Sequence, residues 1–347
     1  MFFCKMNNSV IVVTYYDNCI LCLHEINGKA VKLMLFSDND IHLKNVYVGK
    51  VKNIVKNIGA AFVEVAPGKI CFLSLDECRE LQVLNRKREQ SDLRQGDEIP
   101  VQIIKGAVKN KAPVCTGNLR LPADLKIEIL NKAKTRKCFS VLYSGKPEYL
   151  SFFAGIDLES VDKITCADES LYQEVDAYLE GLAAHNDKKA QYINKLRANT
   201  IMYADDYPLN KLYKIESLID ELTGKTIWLN SGANIVIEYT EAMTVIDVNS
   251  AKSIRDNDKD HILSVNIEAA EEIFRQIRLR NISGMILVDF INDDEKNIAL
   301  LTEKVISLTE LDNINCRFVD ITGLGIFEFV RSKKYRPVYE ILNKRHK

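Results

Sequence analysis

The spacing of apolar positions changes period several times along the chain. From Ser9 to Phe36 they run or alternate in three blocks, SVIVVTYY, NCILCLHEI and KAVKLMLF, with Asn27-Gly28 between the last two. Apolar runs joined by Asn-Gly predict a hairpin, so three strands are expected here. The polar segment SDND, beginning at Ser37, marks a loop. Short strands are expected next in VYVGKVKNIV, AAFVEVAP and KICFLSL, with Pro67-Gly68 as a turn, and in EIPVQIIKGA after the charged loop RKREQSDLRQGDE. Several short strands with Gly and Pro turns suggest a small barrel of the OB type.

From Leu121 to Cys138 the pattern becomes helical and basic. FSVLY and PEYLSFFAGI read as strands, KITCADESLYQEVDAYLEGLAAHND as a strand feeding a helix, and residues 213–228 as a helix leading into a strand. The closing third alternates: strands IVIEY and MTVIDVN, helix SVNIEAAEEIFRQIRLR, strand GMILVDFI, helix EKNIALLTEKVISLT, strand RFVDIT and a final helix. That alternation predicts an α/β sheet.

A chain of 347 residues is too long for one simple core, so two or more compact units are expected. Its 47% hydrophobic and 27% charged residues are the balance of a soluble globular protein, and no apolar run reaches the ~18 residues of a membrane span. Val10 to Val13 has no small-residue cleavage site after it and reads as a first strand rather than a signal peptide. The cysteines lie mostly inside apolar runs, as reduced core thiols of a cytoplasmic protein would. Cys19 and Cys22 have metal-ligand spacing, but no second pair completes a tetrahedral site, and core packing is the better reading. A net charge of −1 leaves nucleic-acid binding to local basic stretches: Lys105 to Lys111, Lys132 to Lys137 and Arg331 to Lys347. Such runs are more often solvated surface than binding sites.

The most informative residues are two aspartates that each interrupt an apolar strand. Asp247 follows Val245 and Ile246 in MTVIDVNS; Asp289 follows Leu287 and Val288 in GMILVDFIND. A carboxylate buried against such a run is costly unless paired, hydrogen-bonded or bound to a metal. The intervening helix carries Ile267, Ala270, Phe274 and Ile277 on one stripe, so strand, crossover helix and next strand bring the two aspartates to comparable heights. Two carboxylates that leave positions for water and phosphate suit magnesium. Capping of the segment after each strand is the competing reading, and the residues alone leave the two level.

At these residues the chain resembles the RNase E/G family of bacterial endoribonucleases. TEAMTVIDVNSAKS (240–253) is similar to the family's first metal segment, NIEAAEEIFRQIRLRNISGMILVDFIND (266–293) to its helix and second metal segment, and RFVDITGLGIFEFVRSKKYRP (317–337) to the segment that follows. YVGKVKNIVKNIGAAFVEVAPGKICFLSLDE (47–77) looks like the family's RNA-binding OB module. The resemblance implies an endoribonuclease in which Asp247 and Asp289 bind magnesium and Asn249 orients a ligand water or the phosphate. Phe62, Phe72 and Lys111 would contact single-stranded RNA, stacking on bases and meeting backbone charge; core packing is the alternative for Phe62. Metal-assisted hydrolysis would leave 5′-phosphate and 3′-hydroxyl ends, in RNA processing or decay in the cytoplasm.

The implied architecture is α/β (an α+β multidomain chain). An RNase H-like unit (1–38 and 143–212) is interrupted by an OB-fold RNA-binding barrel (39–119), and a DNase I-like α/β catalytic unit follows (213–347). Residues 120–142 stand as a shortened linker where family members carry an element with an Arg-Thr pair that senses the RNA 5′-monophosphate. Thr135 precedes Arg136 without that context, so the sensor is expected to be missing or vestigial. No Cys-Pro-x-Cys zinc-link motif precedes Lys347, so any homo-oligomer is expected to form without zinc. No membrane partner is expected. The rival reading is a catalytically inactive relative that binds RNA or ribosomal particles; retention of both aspartates and Asn249 argues against it.

Overall fold

The computed structural model describes residues 8–37, 43–78, 81–87, 93–106, 112–185, 188–250 and 259–342. The chain divides into two compact units: one combines the stretch up to Ser37 with everything from Phe152 onward, and the other is the stretch between.

The first three strands are β1 (Ser9–Tyr16), β2 (Cys19–Ile26) and β3 (Lys29–Ser37), an antiparallel meander. Asn27 and Gly28 both take positive φ, as an Asn-Gly hairpin turn requires. Cys19 and Cys22 are both buried but three residues apart on one strand, so they point to opposite faces and share no site. They pack as core thiols.

The middle unit is a closed five-stranded barrel. It is built from β4 (Val46–Val55), β5 (Ala60–Ala66), β6 (Lys69–Ser74), β7 (Glu98–Lys105) and β8 (Val114–Thr116), in the order β5-β6-β8-β7-β4 with β4 closing back onto β5. This mixed-strand closure is consistent with an OB-like domain. Gly49 of β4 lies so close to Val63 and Val101 that a Cβ there would sit 2.5 Å from a Val63 methyl carbon. Helix α1 (Ala123–Ala133) and strand β9 (Val141–Tyr143) complete the unit, with β9 pairing to β4. Ile129 and Ala133 of α1 bury against Val46, Val48 and Leu142.

The rest of the chain supplies β10 (Lys163–Cys166), α2 (Glu169–Ala184), α3 (Ala190–Ala198), β11 (Thr200–Met202), α4 (Leu209–Leu212) and α5 (Ile215–Thr223). It continues with β12 (Thr226–Trp228), β13 (Asn234–Tyr239), β14 (Met243–Asn249), α6 (Lys259–Leu279), β15 (Gly284–Asp289), α7 (Glu295–Glu310), β16 (Cys316–Ile321), β17 (Phe327–Arg331) and α8 (Val338–Ile341). Strands β10 and β11 extend the first meander in parallel, giving the order β11-β10-β1-β2-β3. The other sheet runs β12-β13-β14-β15-β17-β16 and is mostly antiparallel, with β14 and β15 its parallel pair. Helix α6 buries Ala270, Phe274 and Ile277 against it, with the Phe274 ring edge-on to Phe329 at 5.3 Å.

Three expectations need correction. PEYLSFFAGI is not a strand: Glu148–Phe153 forms a 3-10 helix. Its buried residues, Tyr149, Leu150, Phe152 and Phe153, follow helical rather than alternating spacing. Helix α3 went unread because its buried face is only Ile193 and Leu196. After β16 the chain does not pass directly to the final helix but turns at Gly325 (φ 85°) into β17, where Phe327, Phe329 and Arg331 alternate inward. The final helix is the single turn of α8.

His24 on β2 is 7% exposed, with Nε2 2.9 Å from the Ser9 hydroxyl. Burial, helped by the nearby Lys32 ammonium, lowers its pKa from 6.5 to about 4. Lys32 is itself lowered to about 8, chiefly by burial, and donates to the carbonyls of Phe152 and Ala154 at 2.6 and 3.1 Å. A histidine depressed on folding binds fewer protons in the native than in the unfolded state between pH of about 4 and 6.5. Its contribution to stability is therefore present above that window and lost as pH falls through it. Urea midpoints measured across the window should fall on acidification, and His24→Gln should flatten that fall. An unchanged slope in the variant would contradict the assignment.

Candidate active site

Strands β14 and β15 are built on one rule. Ile246 and Val248 of β14 and Ile286 and Val288 of β15 point into the core under α6, so the residues between them face away from the helix. Asp247 and Asp289 are partners in the parallel register of these strands, and both are exposed. Adjacent strands lie about 4.8 Å apart, so the two carboxylates share one patch of the open sheet face. The expectation of carboxylates set into an apolar environment is thus corrected: alternation sends them to the surface, and no desolvation has to be offset.

Asn249 is on the same face, two residues along. Its Nδ2 donates to Asp247 Oδ2 at 2.8 Å and lies 3.4 Å from Asn234 Oδ1 on β13. The amide thereby fixes one carboxylate rotamer and leaves Asp289 free of it. The loop leaving Asp289 is held from behind by Asn266 of α6, which is 1% exposed. Its Nδ2 donates to the Ile291 carbonyl at 2.8 Å, and its Oδ1 accepts from the Ile291 N–H at 3.0 Å. Further on, the Asp293 carboxylate accepts from Asn297 Nδ2 at 3.1 Å, and Asp294 caps α7 by accepting from Asn297 N–H at 3.0 Å.

Sequence reasoning missed Asn266 and Asn234. The signal for Asn266 was a lone amide on the buried side of α6, between Val265 and Ala269. Nothing in the sequence distinguished Asn234 before its register with Asn249 was known.

Among the described residues no group of three or more His, Cys, Asp or Glu is arranged to hold a metal ion. Asp247 and Asp289 are the adjacent pair that could do so, and neither is in a salt bridge among the described residues. Two hard oxygen donors without basic partners suit magnesium, which keeps several waters and takes only one or two carboxylates from a protein.

Phe62 and Phe72 face each other across β5 and β6 of the barrel, half-buried, with ring centroids 6.1 Å apart and an interplanar angle of 82°. Ala61, Val63, Cys71 and Leu73, the alternate residues, fill the barrel core. The two rings are therefore on the outer surface of the barrel, half-buried and packed edge to face. Lys111 lies outside the described residues. Of the basic stretches, Lys132, Lys134, Arg136 and Lys137 are exposed, whereas Arg331 is buried at 2% exposure and belongs to the core. Thr135, beside Arg136, bonds its own helix through Oγ1 to the Lys132 carbonyl at 3.1 Å. No helix among the described residues is long and apolar enough to cross a membrane.

Comparison with known proteins returns relatives along most of the chain. Ribonuclease G of Salmonella typhimurium is 24% identical over 369 aligned residues, covering 86% of this chain and 74% of that protein. Ribonuclease E of Synechocystis sp. is 24% identical, covering 90% of this chain and 55% of that protein. Ribonuclease E of Haemophilus influenzae is 27% identical over 309 residues, covering 72% of this chain and 33% of that protein. The chain thus spans about three quarters of this ribonuclease G and 33% to 55% of these ribonucleases E. The family profile described as "Ribonuclease E/G family" matches residues 115–334, which include the whole sheet that carries Asp247, Asn249 and Asp289. The chain belongs to the ribonuclease E/G family.

Proposed function

We propose that this protein is a magnesium-dependent endoribonuclease that cuts single-stranded RNA at the open face of β14 and β15. The observation that carries the reading is the placement of Asp247 and Asp289 as register partners, exposed and unpaired with any base among the described residues. Asp247 and Asp289 would hold the ion; when bound, it makes a water a better nucleophile and offsets phosphate charge. Asn249 holds the Asp247 carboxylate in place through the 2.8 Å bond to its Oδ2. Asn266 fixes the chain beyond Asp289, so that this carboxylate keeps its height on the sheet.

Phe62 and Phe72 would stack on unpaired bases, a contact every base can make, and Lys111 would meet the backbone charge. The meander extended in parallel by β10 and β11 supports an RNase H-like reading of that sheet, and the closing sheet under α6 and α7 a DNase I-like catalytic unit. The Thr135 hydroxyl is engaged by the Lys132 carbonyl, which supports a missing or vestigial 5′-end sensor, in an enzyme of cytoplasmic RNA processing or decay.

Mapping the products of a labelled A/U-rich RNA tests this directly. Magnesium-dependent cleavage should leave 5′-phosphate and 3′-hydroxyl ends, at similar rates for substrates starting in a monophosphate or a hydroxyl. Cyclic phosphate ends would contradict the chemistry. RNA binding without cleavage under any condition would favour the inactive binding module.

A further inference from the structure

Trp228, the one tryptophan in the chain, stands on the edge strand β12 with 72% of its surface exposed. Its neighbours alternate the other way: Ile227 and Leu229 are 7% and 9% exposed and belong to the core under α6. The fold therefore holds the indole outward on the face that carries the two aspartates. Register makes this specific. Trp228 pairs with Asn234, and Asn234 pairs with Asn249; one row along, Val236 pairs with Asp247 and Asp247 with Asp289. The Asn249 amide lying 3.4 Å from Asn234 Oδ1 places the inner two side chains of the first row on one face. At a strand spacing of about 4.8 Å, Trp228 is roughly 10 Å across the sheet from Asn249.

The turn that carries it is fastened. Glu268 of α6 accepts from the N–H groups of Asn230 and Ser231, at 2.8 and 3.3 Å, immediately after Trp228. The row that joins Trp228 to β14 is polar, with Asn234 and Asn249 beside the ring, and in the next row Val236 lies beside Asp247. A single ring beside polar groups suits a nucleotide: its face takes the base, and the amides take the sugar and phosphate.

We infer that Trp228 is a stacking platform for a nucleobase of the single-stranded RNA at the Asp247–Asp289 site, flanking the phosphate to be cut. The inference rests on the proposed endoribonuclease reading. It places an aromatic RNA contact in the catalytic unit itself, in addition to Phe62 and Phe72 of the barrel.

Because Trp228 is the sole tryptophan, fluorescence excited at the red edge, beyond tyrosine absorption, reports this position alone. The full-length protein is titrated with a short A/U-rich RNA in EDTA, and tryptophan emission is followed beside the anisotropy of the labelled RNA. Quenching should saturate with the same midpoint as the anisotropy, and inorganic polyphosphate should leave emission unchanged. Trp228→Phe should bind within about twofold of wild type, whereas Trp228→Ala should bind about tenfold more weakly, the scale of one lost base stack. RNA binding with unchanged emission and an unweakened Trp228→Ala would overturn the inference while leaving the endoribonuclease reading intact. Equal quenching by polyphosphate would overturn base stacking. No binding of RNA at all would overturn the functional reading, and this inference with it.

Discussion

Asp247→Asn or Asp289→Asn is expected to slow single-turnover RNA cleavage by about a thousandfold while leaving the protein folded. The size follows from the role proposed for the pair. An ion held by two carboxylates contributes several kcal/mol of charge stabilisation at the phosphate, and each 1.36 kcal/mol is about tenfold in rate. Removing one negative ligand would leave the other alone to hold the proposed divalent cation with waters. The two positions act as a unit, so the double variant should be scarcely slower than either single one. Folding is spared because both side chains are exposed and face away from α6, where isosteric surface changes fall within about 0.5 kcal/mol. Circular dichroism melts alongside the rates would separate the two effects. Cleavage at the wild-type rate in either variant would remove that carboxylate from the site.

The largest expected effect on stability lies at Arg331 and Asp312. Arg331 ends β17 with a side chain 2% exposed, facing an Asp312 side chain 3% exposed. Its Nε donates to Asp312 Oδ2 at 2.5 Å, and Nη1 donates to Asn281 Oδ1 and the Ile282 carbonyl at 2.9 and 2.8 Å. The pair ties β17 to the loop after α7 and to the turn between α6 and β15. Asp312→Ala leaves the guanidinium buried without its counter-charge, which costs about 3–5 kcal/mol. For a unit of this size that corresponds to a fall in melting temperature of roughly 10 °C. Replacing both partners, as Asp312→Leu with Arg331→Met, should be less damaging than Asp312→Ala alone, because no charge is then left buried. Equal melting temperatures for wild type and Asp312→Ala would show that the pair contributes nothing.

Much of this was legible in the sequence, for identifiable reasons. The alternation in MTVIDVN and GMILVDFI, with a helix-period stripe between, was sufficient to place Asp247 beside Asp289, since a short parallel crossover leaves few other registers. The OB-like barrel followed from short strands separated by Gly and Pro turns. What stayed hidden depends on register or on partners distant in sequence. Arg331 looked like the start of a basic tail, because a buried guanidinium is recognisable only once Asp312 is beside it. The partnership of Asn266 with Ile291 joins residues 25 positions apart. Strand β17 was obscured because FEFVR is too short for its alternation to outweigh the charged residues that follow. Aspartates alternating to the surface could not be told from aspartates set into the core, because a run such as MILVD is apolar on both faces until the strand is placed.

The central claim is that Asp247 and Asp289 jointly hold one divalent ion. Titration with Mn2+, a paramagnetic stand-in for Mg2+, measured by the loss of the free-ion electron paramagnetic resonance signal, tests it without relying on catalysis. Wild type should take up one ion competed by magnesium, and Asp247→Asn and Asp289→Asn should each lose that uptake. Undiminished binding in both variants would contradict the account.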